Sequence, residues 1–284
     1  MSKGQAGFCC LLVGILWGLG FIATAGALDA FGPYQILLVR FAGAALLSWV
    51  TLWLRHIPVT RSMVVKGVVC GLFMFGGFAF QTFGLELTEA GSNAFLTAAN
   101  VVIVPWLAWL VFRKRPDVRK MAACVLCFAG IGCMSLGQGS LVLRWGDLLS
   151  LTCALFFAAQ IVALEWAGDE NSLGINTVQL TTAAVLSLPG GLASRWHMVS
   201  DVTAVGSLFY LIVISTWVAF LLQTEAQRYI EASTASLLLC TESLWANVFA
   251  VVLLHERLPF LSLAGGVLIL VSVFMAESPS RGRT

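Results

Sequence analysis

Apolar segments long enough to cross a bilayer follow one another almost without pause along this 284-residue chain. A run of about 18 or more apolar residues can cross the roughly 30 Å hydrocarbon core as a helix. Such runs lie near 6–28, 33–54, 66–87, 91–112, 118–137, 145–167, 176–194, 203–226, 232–254 and 259–276. The expected fold class is therefore an all-α integral membrane protein with ten transmembrane helices. Composition agrees: 11% of residues are charged, against about 25% in an ordinary soluble domain. No stretch between the segments is long enough for a soluble domain, so function is expected within the membrane.

The ten segments read as one set of five written twice. Gln81, Thr82, Glu89, Ala90 and Leu96 return 142 positions later as Gln223, Thr224, Glu231, Ala232 and Leu238. Because five is odd, the second set enters the bilayer upside down relative to the first, the inverted repeat of many secondary transporters. The expected domains are two five-helix repeats, 6–137 and 145–276.

Lys and Arg placement gives the orientation. With a cytoplasmic N-terminus, the inner loops and ends hold Lys3, Arg55, Arg61, Lys66, Arg113, Lys114, Arg115, Arg119, Lys120, Arg228, Arg281 and Arg283. The outer loops hold only Arg144, Arg195 and Arg257, and Arg40 lies inside a span. This asymmetry favours both termini inside. The basic cluster Arg113 to Lys120 is then a topology signal rather than a nucleic-acid patch, and no nucleic-acid partner is expected. Lys3 precedes an apolar run too long for a secretory signal, so the first segment reads as an uncleaved helix.

Other motifs carry little chemistry. Cys124 and Cys127 have CxxC spacing without a second ligand pair, and the eight cysteines read as small hydrophobes without a disulfide framework or metal site. His255-Glu256 lacks the second histidine of a zinc-protease helix, and Gly91-Ser92 is no nucleophile elbow. No phosphate-cradling GxxxxGK[ST] loop is present, so no cofactor, no enzyme activity and no ATP-driven pump is expected. Gly14/Gly18 and Gly67/Gly71 have the GxxxG spacing that lets helices approach closely.

Several stretches resemble a known family. These are LWGLGF at Leu16 to Phe21, Arg40-Phe41 followed by small residues, FAFQTFGLELTEA from Phe78 to Ala90, LLHERL at Leu253 to Leu258, and the Gly265-Gly266 helix. Their order and spacing resemble the drug/metabolite transporter superfamily, specifically the EamA family of ten-helix carriers, over nearly the whole chain. That resemblance implies a bacterial cytoplasmic (inner) membrane carrier, commonly an exporter of amino acids or related metabolites. In one departure, Ser243 follows Glu242 where members often carry proline, which removes the residue that would distort that helix.

The site is sought among polar groups that the bilayer makes costly. A charged side chain at a span's centre costs about 2.5–3.5 kcal/mol on insertion scales. Glu242 lies near the middle of the ninth span, and its mate 142 positions earlier is Asn100. Glu242 can exchange a proton, can stay ionised to hold a cationic substrate group, or can brace helices through neighbouring hydroxyls and amides. Arg40 must find an anion, carbonyls or water; a substrate carboxylate, Glu242, helix carbonyls or the outer surface would serve. Its apparent repeat mate is Gln179.

Gln81 and Gln223 either brace the bundle or reach a cavity, Thr82 and Thr224 favour bracing, and Gln160 is a weaker cavity candidate. Among the deeper aromatics, Trp17, Phe78, Trp106, Trp217 and Trp245 either wall a pocket or pack. The expected function is a secondary transporter, an exporter of a small metabolite such as an amino acid, working by alternating access at a midplane cavity. An acid and a guanidinium at similar depth would suit a zwitterion. Alternatives are an importer, a drug or lipid-linked-solute carrier of the same fold, or a non-transporting scaffold or receptor. The expected partners are a small-molecule substrate, the lipid bilayer, protons for coupling, and a second copy in a homodimer.

Overall fold

A computed structural model describes residues 1–28, 30–87, 90–136, 145–196, 201–254 and 260–277. Among them it is helical, with no strand. The order is α1 (Lys3–Leu28), α2 (Pro33–Leu54), α3 (Arg61–Leu87), α4 (Ala90–Thr97), α5 (Asn100–Phe112), α6 (Val118–Leu136), α7 (Trp145–Ala167) and α8 (Ser172–Ala193). Then come α9 (Val202–Tyr210), a π-helical segment (Leu211–Val218), α10 (Ala219–Ala226), α11 (Ala232–Leu239), α12 (Glu242–Leu254) and α13 (Phe260–Glu277).

Among the described residues, seven helical stretches are long and apolar enough to cross a membrane, which makes the chain an integral membrane protein. They are Lys3–Leu28, Pro33–Leu54, Arg61–Leu87, Phe95–Phe112, Trp145–Ala167, Val202–Ala226 and Ala232–Leu253. The other three expected spans correspond to α6, α8 and α13. α6 carries Arg119 and Lys120 in its first turn, and α8 carries Asn176, Thr177 and Gln179, all fully buried. α13 is an apolar helix of fewer residues. The polar face of α8 is satisfied inside the protein: Ser48 and Thr177 hydroxyls lie 2.7 Å apart, and Trp49 Nε1 donates to Thr181 Oγ1 at 2.9 Å.

Three expected spans are interrupted. The segment 91–112 breaks between Thr97 and Asn100, and 232–254 breaks between Leu239 and Glu242, each second half beginning 142 positions apart. At both breaks backbone amides bond three residues back, Val101 to Ala98 (3.1 Å) and Thr241 to Leu238 (3.3 Å), the tighter pattern of a helix end. Thr241 Oγ1 adds a bond to the Leu238 carbonyl at 2.7 Å. Neither break contains proline, so the distortion that Ser243 was expected to remove is present by another route. The third interruption is the π-helical segment within 202–226.

α1 lies against the second break. A Cβ on Gly14 would stand 2.5 Å from Thr241 Oγ1, and one on Gly18 would stand 2.7 Å from Trp245 Cβ and 2.9 Å from the Ala246 nitrogen. Gly67 and Gly71 likewise admit α8, with a Gly71 Cβ 2.6 Å from the Gln179 carbonyl oxygen. Both GxxxG pairs are thus close helix contacts. Around this frame α2 packs on α8, α3 on α7 and α6 on α13, while α1 touches α9, the π segment and α10.

Candidate functional site

Both helix breaks face one cavity. It encloses about 670 Å³ of empty space, counted out to its mouth, between α1, α3, α5, α7, α10 and the two breaks. Its polar lining includes Asn100, Gln81, Gln160, Gln223 and Glu242; Trp17, Phe21, Phe78, Phe157 and Phe220 supply its rings. A space of this size with few polar groups in an apolar wall is the usual form of a small-molecule site.

Glu242 is the first residue of α12 and the only ionisable acid or base of the ordinary charged types in that lining. No described hydrogen bond or ion pair reaches its carboxylate. The bracing role, which needs hydroxyl or amide donors, therefore finds no partners here. Asn100, the first residue of α5, accepts a weak bond at Oδ1 from Cys240 Sγ at 3.6 Å. Its Nδ2 and the Gln81 side-chain amide make no described hydrogen bond.

Two other lining residues, Gln160 and Gln223, belong to a ladder of amides. Gln227 Nε2 donates to the Ile161 carbonyl at 2.8 Å, and its Oε1 accepts from Gln223 Nε2 at 3.0 Å. Gln223 Nε2 also reaches Gln160 Oε1 at 3.3 Å, and Gln160 Nε2 reaches Gln179 Oε1 at 3.4 Å. Gln179 Nε2 ends the run on Asn176 Oδ1 (3.0 Å) and Thr224 Oγ1 (3.2 Å). The direction of the Gln227 and Gln223 amides is fixed by the Ile161 carbonyl, which can only accept. That direction leaves Gln223 Oε1 buried without a donor.

Arg40 does not line the cavity. It is 4% exposed; its Nε donates to Thr216 Oγ1 at 3.0 Å, and its guanidinium carbon lies 4.3 Å from the centre of the Phe78 ring. Thr216 belongs to the π-helical segment, and Phe78 presents its ring between Arg40 and the cavity wall. Of the partners considered from sequence, neither Glu242 nor a helix carbonyl holds it. Gln179 also lies off the cavity, within the ladder. Trp17 lines the cavity and donates from Nε1 to the Ser215 carbonyl at 2.9 Å. Trp245 packs beside Phe249 and under Gly18 instead, and Trp106 is half exposed on the outer surface. Thr82 bonds its own helix at the Phe78 carbonyl, whereas Thr224 braces α8.

Several wall residues were not singled out from sequence: Phe21, Phe157, Phe220, Ser215 and Cys240. The pairing of Gln223 with Gln227 one helical turn on was a legible signal; the aromatic positions had none beyond abundance. His255 to Pro259, which includes most of the LLHERL stretch, Glu89 and Arg144 lie outside the described residues.

The EamA-like transporter family model matches residues 5–136 and again 144–277. The chain belongs to the EamA-like transporter family. An uncharacterized transporter of Archaeoglobus fulgidus is 31% identical over 94% of this chain and 83% of its own. A probable amino-acid metabolite efflux pump of Salmonella typhimurium is 26% identical over 97% of this chain and 95% of its own. A crystal structure of another protein superposes with a TM-score of 0.82 at 15% identity, covering 97% of this chain and 96% of that one. The last likeness concerns the fold, which this EamA-like chain shares almost end to end.

Proposed function

We propose that this EamA-like protein is a secondary transporter that exports a small metabolite of the amino-acid type by alternating access around the cavity. The reading takes the chain as ten spans in two inverted repeats, 6–137 and 145–276, in a bacterial inner membrane with both ends cytoplasmic. The family match falling twice along the chain supports the repeat. So does the pairing of breaks at Asn100 and Glu242, and the way α3 against α7 is answered by α10 and the π segment against α1. The name of the Salmonella relative supports the direction and the substrate type.

The observation that carries the proposal is the unpartnered Glu242 carboxylate at a helix break inside the cavity. An acid that neither braces a helix nor pairs with a base is retained at a cost of about 2.5–3.5 kcal/mol unless it meets a cargo. Glu242 alternately holds a proton and the amine of the substrate, which couples export to proton entry. In proteoliposomes loaded with cell metabolites and assayed at two external pH values, Glu242→Gln lowers efflux at least tenfold and abolishes its pH dependence. Unchanged rate and pH dependence would sink the assignment.

A further inference from the structure

We infer that the cavity reads its substrate through a protonated amine on an aromatic or apolar body and offers a free carboxylate only neutral amides, with no cationic partner among its lining residues. Amines and esters are therefore preferred to the parent zwitterions. The inference rests on the carrier reading above and narrows its substrate class.

It begins with charge. Glu242 is the single charged side chain of the lining, and it has no hydrogen-bond or ion-pair partner among the described residues. The one cation buried within the spans among the described residues, Arg40, is turned away: Thr216 Oγ1 takes its Nε, and the Phe78 ring covers its guanidinium at 4.3 Å. Phe78 itself lines the cavity, so the cation sits behind the wall. Other basic groups are committed at one end of the bundle, Lys66 to Glu170, Lys120 to Glu231 and Arg228 to Glu225. A carboxylate entering this space meets neutral amides at Asn100 and Gln81 and a like charge at Glu242. An ammonium meets its opposite charge there.

Hydrogen-bond capacity points the same way. The amide ladder commits both N–H groups of Gln223 and one of the two on Gln160, and it leaves Gln223 Oε1 as a buried acceptor without a donor. A buried acceptor left bare is unfavourable unless something supplies an N–H. The rings of Trp17, Phe21, Phe157 and Phe220 complete a surface that favours a cation carried on a flat apolar body.

The test uses four compounds that share an indole body and differ in the amine and carboxyl groups that set their charge: tryptamine, tryptophan methyl ester, tryptophan and indole-3-propionate. Counterflow is measured with the purified full chain in proteoliposomes. The amine and the ester are expected to move with kcat/KM at least tenfold above tryptophan, and the propionate not to move. Arg40→Met leaves this order unchanged, while Glu242→Gln erases the preference for the amine. The ligand series on the unaltered protein decides the matter even if a variant fails to fold. Tryptophan or the propionate moving as fast as tryptamine overturns the inference, as does movement of none of the four. Transport of tryptophan leaves the carrier reading standing, whereas failure to move any solute from the loaded metabolite pool removes that reading as well.

Discussion

Arg40 shows how an expensive residue is settled by partners that sequence spacing does not reveal. A guanidinium in a span requires anions, carbonyls or water, and that requirement was readable from position alone. Its actual partners are a hydroxyl 176 positions away and an aromatic face, both brought near by folding. The ring contributes about 0.5–2 kcal/mol and a hydrogen bond to a charged donor about 1.5–3 kcal/mol. Thr216→Val keeps the side-chain shape and deletes the acceptor, leaving the guanidinium without its one described hydrogen bond. Stability should fall by about 1–3 kcal/mol, read as a lower apparent Tm in detergent, while the indole preference order stays as it was. An unchanged Tm would mean that the Phe78 face and hydration alone hold the charge. Glu242 and Asn100 were legible from the doubled pattern because two polar positions at one register in apolar spans stand out. Phe21 and Phe157 were not, since a ring facing a cavity and a ring facing a neighbour look alike in sequence.

Elements were legible as lengths and not as interruptions. Apolar runs fix where a helix crosses, but Ala98-Ala99 and Cys240-Thr241 contain neither proline nor glycine to mark a stop. The second break is instead held by what packs on it. Gly14 and Gly18 let α1 approach the Thr241 to Ala246 backbone so closely that any side chain there meets atoms that cannot move aside. Gly18→Ala places a methyl 2.9 Å from a backbone nitrogen and 2.7 Å from Trp245 Cβ. Overpacking of this kind costs about 1–3 kcal/mol. It also pushes α1 off the residue that starts α12, so thermal stability and efflux should fall together. Gly206 offers the control, because a Cβ there meets nothing within 4 Å in a helical segment. Gly206→Ala should leave stability unchanged or raise it by up to about 1 kcal/mol. If both substitutions behave alike, the close approach at Gly18 is not what holds the break.

At the scale of the whole molecule, one end of the bundle is tied across the two proposed halves. Lys66 of α3 pairs with Glu170 at 3.0 Å, and Lys120 of α6 pairs with Glu231. Arg228 Nε donates to the Gly168 carbonyl at 3.1 Å, and Glu165 accepts from the Ala232 amide at 2.6 Å, so these contacts form one girdle. If the halves rock around the cavity, this end cannot open until both ion pairs part. A pair that solvent still reaches is worth about 0.2–1 kcal/mol and is screened by salt, so losing two shifts the balance of states by about 2- to 30-fold. The sign of the pH effect follows from Glu170, whose carboxyl is held below the usual carboxylate range by the Ser62 hydroxyl and then by Lys66. A depressed value means the tie is present at neutral pH and is lost only as pH falls through that lowered value. Native Cys240 lines the cavity and can report which end is open. In inside-out vesicles, Glu170→Gln combined with Glu231→Gln should raise labelling of Cys240 by a membrane-impermeant maleimide several-fold, with Cys240→Ser as the blank. High salt should raise it in the unaltered protein, and labelling from the opposite face should fall in step. Labelling that rises equally from both faces would show a loosened bundle rather than a released latch.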